Sequence, residues 1–170
     1  MNAAAVIGNV LSHVYLLFYA LAVILWWRTM RRARLEHRAL DSAFVFWGEL
    51  LFWYGGLTLI WAGFFHGYEQ HIAAASIGWQ PSPFEYELGW FEIGIGIAAL
   101  FARRQNYGYR LALTIPIVIF SFAAAAQHIA MMLTKHNFAP NNAGMMLWLN
   151  DIIMPLLLAW LAFAAREENR

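Results

Sequence analysis

His66, Glu69 and His71 crowd the end of a long apolar run, in the stretch Phe64-Phe65-His66-Gly67-Tyr68-Glu69-Gln70-His71. Glu85, Glu87 and Glu92 open the next apolar segment, His128 lies inside another, and Asp151 inside a last one. Imidazole and carboxylate ligate Fe, Mn or Zn, and the same groups pass protons near neutral pH. As a metal set the candidates are His66, His128, Asp151 and one of Glu87 or Glu92. No fixed-offset pair such as His-x-x-x-His or Glu-x-x-His accompanies them. The chain has no cysteine, which removes disulfides, thiolate metal sites and cysteine nucleophiles, and argues against Cu(I). A second use is proton-coupled chemistry on a quinone or other small redox ligand, with Trp61, Phe64, Phe65, Tyr68, Trp79, Tyr86, Trp90 and Trp148 available as an aromatic lining. Haem between His66 and His128 is a third, with no second histidine pair for another haem. The fourth involves no chemistry: a buried hydrogen-bond network that fixes helix packing.

The elements that must position these groups are membrane helices. Of 170 residues, 62% are hydrophobic and only 12% charged, against about 25% charged in a typical soluble domain. The charges cluster between apolar runs. A bilayer core about 30 Å thick takes roughly 20 helical residues to cross. Five segments qualify, near 5–27, 43–65, 86–102, 111–133 and 146–165, so the expected fold is an all-α bundle of five transmembrane helices in one domain. The first run lacks a basic leader and reads as a retained helix. Of the 11 Lys/Arg, all but Lys135 fall on one side: Arg28, Arg31, Arg32, Arg34 and Arg38 after helix 1, Arg103, Arg104 and Arg110 after helix 3, Arg166 and Arg170 after helix 5. The positive-inside rule puts those ten in the cytoplasm and the N-terminus outside. A net charge of +1 gives no signal for nucleic acid.

Sorting by depth gathers the polar groups toward the outer surface. His13, one turn from Asn9, is in the outer half of helix 1; His66, Glu69 and His71 end helix 2; Glu85, Glu87 and Glu92 open helix 3; His128 and Asp151 lie in the outer parts of helices 4 and 5. Loop residues Glu69, His71, Glu85 and His136 read as solvated, whereas Glu92, His128 and Asp151 lie deeper and need partners. Thr114, Ser121, His128 and Lys135 recur every seven residues as a polar stripe, and Glu85, Gly89, Glu92 and Gly96 share one helical face. Pro155 frees a backbone carbonyl near Asp151. Glu49, alone on the cytoplasmic side, is expected to pair with the arginine-rich loop after helix 1. The tetrapeptide Gln-His-Ile-Ala occurs at 70–73 and 127–130, each copy followed by a proline-containing loop and an acid-bearing helix, as if helices 2–3 and 4–5 repeat one hairpin. His66 is then the better counterpart of His128.

The run Ile77-Gly78-Trp79-Gln80-Pro81-Ser82-Pro83-Phe84-Glu85-Tyr86-Glu87-Leu88-Gly89, with Gln127-His128-Ile129, Asn137 to Gly144 and Asp151-Ile152-Ile153-Met154-Pro155, resembles a family of small bacterial membrane proteins known only as a domain of unknown function. The match runs from about residue 44 to 165, which makes helix 1 look like an addition to a four-helix core. That family is in turn similar to the DoxX-like proteins, some of which are associated with quinol oxidation. The resemblance implies interest in His66, Glu87, His128, Asn137, Asn142 and Asp151; at Glu92 it implies an uncharged amide, so the acid there departs from the pattern.

Together these readings describe a multi-pass protein of a bacterial inner membrane, C-terminus cytoplasmic, with a periplasm-facing His/carboxylate site for a metal or a quinone-like ligand. The other classes are an accessory or assembly subunit of a larger membrane complex, and a small proton-coupled permease, which would need a homo-oligomer to make room for a pore.

Overall fold

The computed structural model describes residues 12–165, and every element among them is helical. Six helices follow one another: α1 (Val14–Leu35), α2 (Ser42–Tyr68), α3 (Gln70–Ile77), α4 (Pro83–Ala99), α5 (Tyr107–Lys135) and α6 (Pro140–Ala164). Four of these, α1, α2, α5 and α6, are long and apolar enough to cross a membrane. α4 is shorter, at 17 residues. Residues 5–11, including Asn9, and Arg166 and Arg170 lie outside the described residues.

The first helix differs most from expectation. It continues to Leu35, so Arg28, Arg31, Arg32 and Arg34 belong to its last turns and not to a loop. Hydrophobicity ends before the helix does, because Arg, Met and Leu all favour helix and long basic side chains reach water from a helix end. The true turn is residues 36–41, with His37 left-handed at φ 54° and Asp41 capping α2 through the amides of Ala43 and Phe44. In that turn Glu36 accepts from Arg32 at 2.7 Å and from Arg38 at 3.3 Å, and the Arg32 hydrogen bond, then that of Arg38, hold its carboxyl below the ordinary range.

α2 is the central element. Against α4 it packs backbone to backbone: a Cβ on Gly63 would lie 2.6 Å from the Gly89 carbonyl oxygen, and one on Gly96 would lie 2.9 Å from that of Gly56. Small residues permit this approach where lipid gives no hydrophobic drive to association. Against α5 it pairs in a seven-residue register. Trp47 Nε1 donates to Thr114 Oγ1 at 2.9 Å, and one heptad on, Tyr54 Oη meets Ser121 Oγ at 2.8 Å. The α5 polar stripe therefore faces the bundle, and its last member, Lys135, is exposed.

The apolar core, around Trp47, Leu50, Leu51, Tyr54, Ile117, Leu158 and Leu161, fills the half of the bundle nearer the arginine-bearing ends. There Glu49 accepts from Arg103 at 2.5 Å, and the Arg103 guanidinium lies 3.7 Å from the Phe52 ring centroid. This corrects the expected pairing of Glu49 with the arginines after helix 1: those point outward from α1, whereas Arg103 follows α4, which lies against α2. The opposite half is closed by α3, the 136–139 link and the first turn of α6, and it holds a cavity.

Candidate functional site

Two of the long helices are not α-helical throughout. Leu51–Thr58 of α2 and Leu147–Ile153 of α6 are π-helical. The second lies just before Pro155, which has no N–H to close an ordinary turn. π-segments widen the backbone, release carbonyls from the regular ladder and recur at functional sites. Here the released groups meet. The Tyr54 hydroxyl donates to the Asn150 carbonyl at 2.7 Å, Tyr19 donates to Asn150 Oδ1, and Asn150 Nδ2 is buried without a partner among the described residues. This Tyr19–Asn150–Tyr54–Ser121 cluster ties α1, α2, α5 and α6 together directly beneath Asp151.

Above it lies a cavity of about 210 Å³, half-open, lined by His66 of α2, Ala74 and Ile77 of α3, Trp79, Glu85 and Leu88 of α4, and Phe120, Ala124 and His128 of α5, among others. Its wall is mostly apolar, and its polar side chains are His66, Trp79, Glu85, Gln127 and His128; Glu85, which the sequence reads as solvated, has Oε2 buried without a partner among the described residues.

The orientation of His128 follows from its neighbours. Asn142 is fully buried; its Nδ2 donates to the carbonyls of Asn137 (2.8 Å) and His128 (3.4 Å), which fixes the amide with Oδ1 toward the site. That oxygen accepts from Trp79 Nε1 at 3.2 Å and lies 2.8 Å from His128 Nδ1. An amide oxygen only accepts, so Nδ1 carries a proton and Nε2 is the ring nitrogen that Asn142 does not engage. Nε2 lies 3.9 Å from Asp151 Oδ2, too far for a direct hydrogen bond and near enough for one water to bridge. The Trp79 and His128 ring centroids are 5.3 Å apart. Asn137 anchors the same loop by donating to the Ile77 carbonyl at 2.7 Å, beside Gly78, whose φ of 71° ends α3. Replacing Asn142 by Ala is expected to release both the loop and the tautomer. Side-chain ¹⁵N NMR of His128 should show Nδ1–H in the parent and a mixture in Asn142→Ala, with a stability loss of about 2 kcal/mol for two or more lost buried hydrogen bonds.

His66 is arranged in the same sense. Its Nδ1 lies 2.6 Å from Glu92 Oε2, and Glu92 is only 2% exposed. With Glu92 as acceptor, His66 Nδ1 is the donor, and no hydrogen bond engages its Nε2 among the described residues. The hairpin of α2 and α4 thus carries His66 with Glu92, and that of α5 and α6 carries His128 with Asp151.

The remaining sequence candidates separate. Glu69, His71 and Glu87 are exposed, and His13 is half-buried at the start of α1, 6.0 Å from the Tyr15 ring. Ser121 and Asn142 are buried partners and Asn137 a loop anchor. Among the described residues, no group of three or more His, Asp or Glu is arranged to hold a metal ion. The four-ligand set therefore does not assemble: Glu87 faces outward, and the Glu92 carboxylate is engaged by Nδ1 of His66. The repeated Gln-His-Ile-Ala does not mark equivalent positions, since one copy is in α3 with an exposed histidine and the other in α5 with a half-buried one. Sequence reasoning missed Asn150, Tyr19 and Tyr54, because one amide beside an acid and two tyrosines in apolar runs carry no periodic signal. It also missed α3 as a cavity wall, although the Ala-rich stretch 73–75 could have suggested close packing.

Residues 12–170 match the model of a family of unknown function, DUF6790, and the chain belongs to that family. The match takes in α1, which is thus part of the family and not an addition to it. No curated protein and no solved structure matches the chain.

Proposed function

Since membership of that family brings no activity with it, we propose from the site itself that this protein binds a small ring compound of the quinone head-group class inside the membrane, and exchanges protons with it. The observation carrying this reading is one cavity bordered by two histidines from different helices, each with Nδ1 hydrogen-bonded to a buried side chain. A cavity of about 150 Å³ accommodates benzene. At about 210 Å³ this one suits a single ring with small substituents, and a porphyrin is several times too large. Two histidines from different helices bordering an apolar slot suit a ring that carries hydrogen-bonding oxygens. Glu92 and Asp151 behind the histidines supply the next proton positions.

We place the protein in a bacterial inner membrane with five spans. Taking α4 as the fifth is consistent with its length of roughly 25 Å at 1.5 Å per residue and with its packing along α2. The basic residues put the arginine end in the cytoplasm, so the cavity faces the periplasm and the N-terminus is periplasmic.

The test is titration of the purified protein in detergent with a short-chain benzoquinone and with its quinol, reading tryptophan fluorescence, to which Trp79 contributes from the cavity wall. Saturable quenching is expected. Ala124→Phe, which fills the slot without removing a polar group, should weaken it at least about tenfold, and so should His128→Ala, by loss of one hydrogen bond in an apolar site. Non-saturable quenching, or equal affinity in a folded Ala124→Phe variant, would overturn the reading.

A further inference from the structure

A second hollow lies at the other end of the molecule, far from the histidines in the fold. It measures about 490 Å³ and is lined by Trp26, Trp27, Met30, Arg31 and Arg34 of α1 and by Ser42 at the start of α2. Trp27, Arg31 and Arg34 follow one another at helical spacings of four and three, so one strip of α1 supplies both the aromatic and the cationic wall. Trp26 closes the floor by donating Nε1 to Ser42 Oγ at 3.2 Å and packing on Phe46, ring centroids 5.1 Å apart. The Arg31 guanidinium lies 5.5 Å from the Trp27 ring centroid.

The local acids do not neutralise this wall. Glu36 is held by Arg32 and Arg38, and the Asp41 carboxylate accepts the amides of Ala43 and Phe44. Among the described residues neither Arg31 nor Arg34 forms a salt bridge. Both arginines occupy the last two turns of a helix long and apolar enough to cross a bilayer, which is the depth of lipid phosphates. A guanidinium pair presents donors in the geometry phosphate oxygens accept, and Trp27 and Met30 below it offer apolar surface to an acyl chain.

We propose that this groove is a binding site for an anionic phospholipid, its phosphate held by Arg31 and Arg34 and its chain lying on Trp27 and Met30. Occupation would brace the α1–α2 junction, since the site is built from both helices. The site stands independently of the ligand assigned to the histidine cavity.

The experiment follows the thermal midpoint of the purified full chain in a neutral detergent as dioleoyl phosphatidylglycerol, dioleoyl phosphatidylcholine or inorganic phosphate is added. Phosphatidylglycerol should raise the midpoint saturably, and phosphatidylcholine should not. Arg31→Gln/Arg34→Gln should lower the apparent phosphatidylglycerol affinity by about thirtyfold, the expectation for two juxtamembrane basic groups. The charge-matched control Arg28→Gln/Arg104→Gln removes two exposed arginines outside the groove and should respond like the parent. If the double variant is too unstable to melt cleanly, native mass spectrometry of retained phosphatidylglycerol gives the same comparison. Equal responses of the two double variants, or equal shifts with both lipids, would overturn the proposal. A shift reproduced by phosphate alone would also overturn it, and would make the groove a site for a free anion.

Discussion

Gly89→Ala should lower stability by about 3 kcal/mol and weaken the histidine site along with it. A Cβ on Gly89 would overlap the Gly67 nitrogen and lie 2.7 Å from both the Gly63 carbonyl oxygen and the Gly67 Cα. Every one of these obstacles is backbone, so no side chain can swing aside. Overpacking costs typically about 1–3 kcal/mol, and a rigid obstacle belongs at the upper end. α2 and α4 can relieve the overlap only by separating. His66 and Glu92 sit on either side of this crossing, so their 2.6 Å contact should lengthen as the helices part. Gly94 supplies the control: a Cβ there meets nothing within 4 Å. Gly94→Ala should be neutral or slightly stabilising, given alanine's helix preference of up to about 1 kcal/mol over glycine. Thermal melts of both variants in one detergent decide the matter. Equal midpoints would mean that α2 and α4 do not touch as described.

The same glycines show what a sequence of this kind reveals. Gly89, Glu92 and Gly96 fall on one face by simple periodicity, and all three are buried. Thr114, Ser121 and His128 likewise point inward from a seven-residue repeat. Periodicity is legible because a helix in lipid must turn its few polar and small residues toward its neighbours. It does not say which neighbour. Glu49 could reach several arginines, and the choice of Arg103, 54 residues away, is made by the α2–α4 crossing. Between Glu87 and Glu92 the sequence leaves the fourth ligand candidate open, although Glu92 shares the face of Gly89; packing against α2 brings Glu92 to His66 and leaves Glu87 exposed. Helix length is legible only where hydrophobicity and helicity end together, which they do not at Arg28–Leu35. The π-segments are the least legible of all. Pro155 hints at the one in α6, while Leu51–Thr58 looks like any apolar helix, and its widening is evident only from where Tyr54 and Thr58 send their hydroxyls.

Arg110→Met should be the most damaging single change at the opposite end of the bundle, costing about 3–5 kcal/mol. Arg110 reads as a loop residue in the sequence, yet it lies in the first turn of α5 and is 3% exposed. Its guanidinium joins three segments. Nε donates to the Ala102 carbonyl at 2.9 Å, one terminal nitrogen donates to the Arg103 carbonyl at 3.1 Å, and the other donates to the Phe44 carbonyl. The first two acceptors belong to the short 3₁₀ turn that follows α4, where helix carbonyls run out of partners and favour a cation. Phe44 also stacks its ring 3.7 Å from the guanidinium carbon. Gly48 makes room for this arrangement, since a Cβ there would come within 3.0 Å of an Arg110 terminal nitrogen. Methionine fills much of the volume and supplies no donor, so the cost measures the lost hydrogen bonds and not a cavity, although the Ala102 carbonyl keeps the Gln105 amide at 3.2 Å. Arg110→Lys keeps the charge but offers one nitrogen where three acceptors diverge, and it should recover less than half of the loss. Gly48→Ala should act in the same direction by displacing the fork, at about 1–2 kcal/mol. Because His128 lies five helical turns along α5 from this anchor, the quinone titration of Arg110→Lys separates two outcomes. Lower thermal stability with unchanged ligand affinity is the result expected of an anchor that holds the arginine-bearing end alone; a parallel loss of affinity would show that α5 transmits the displacement along its length to the cavity.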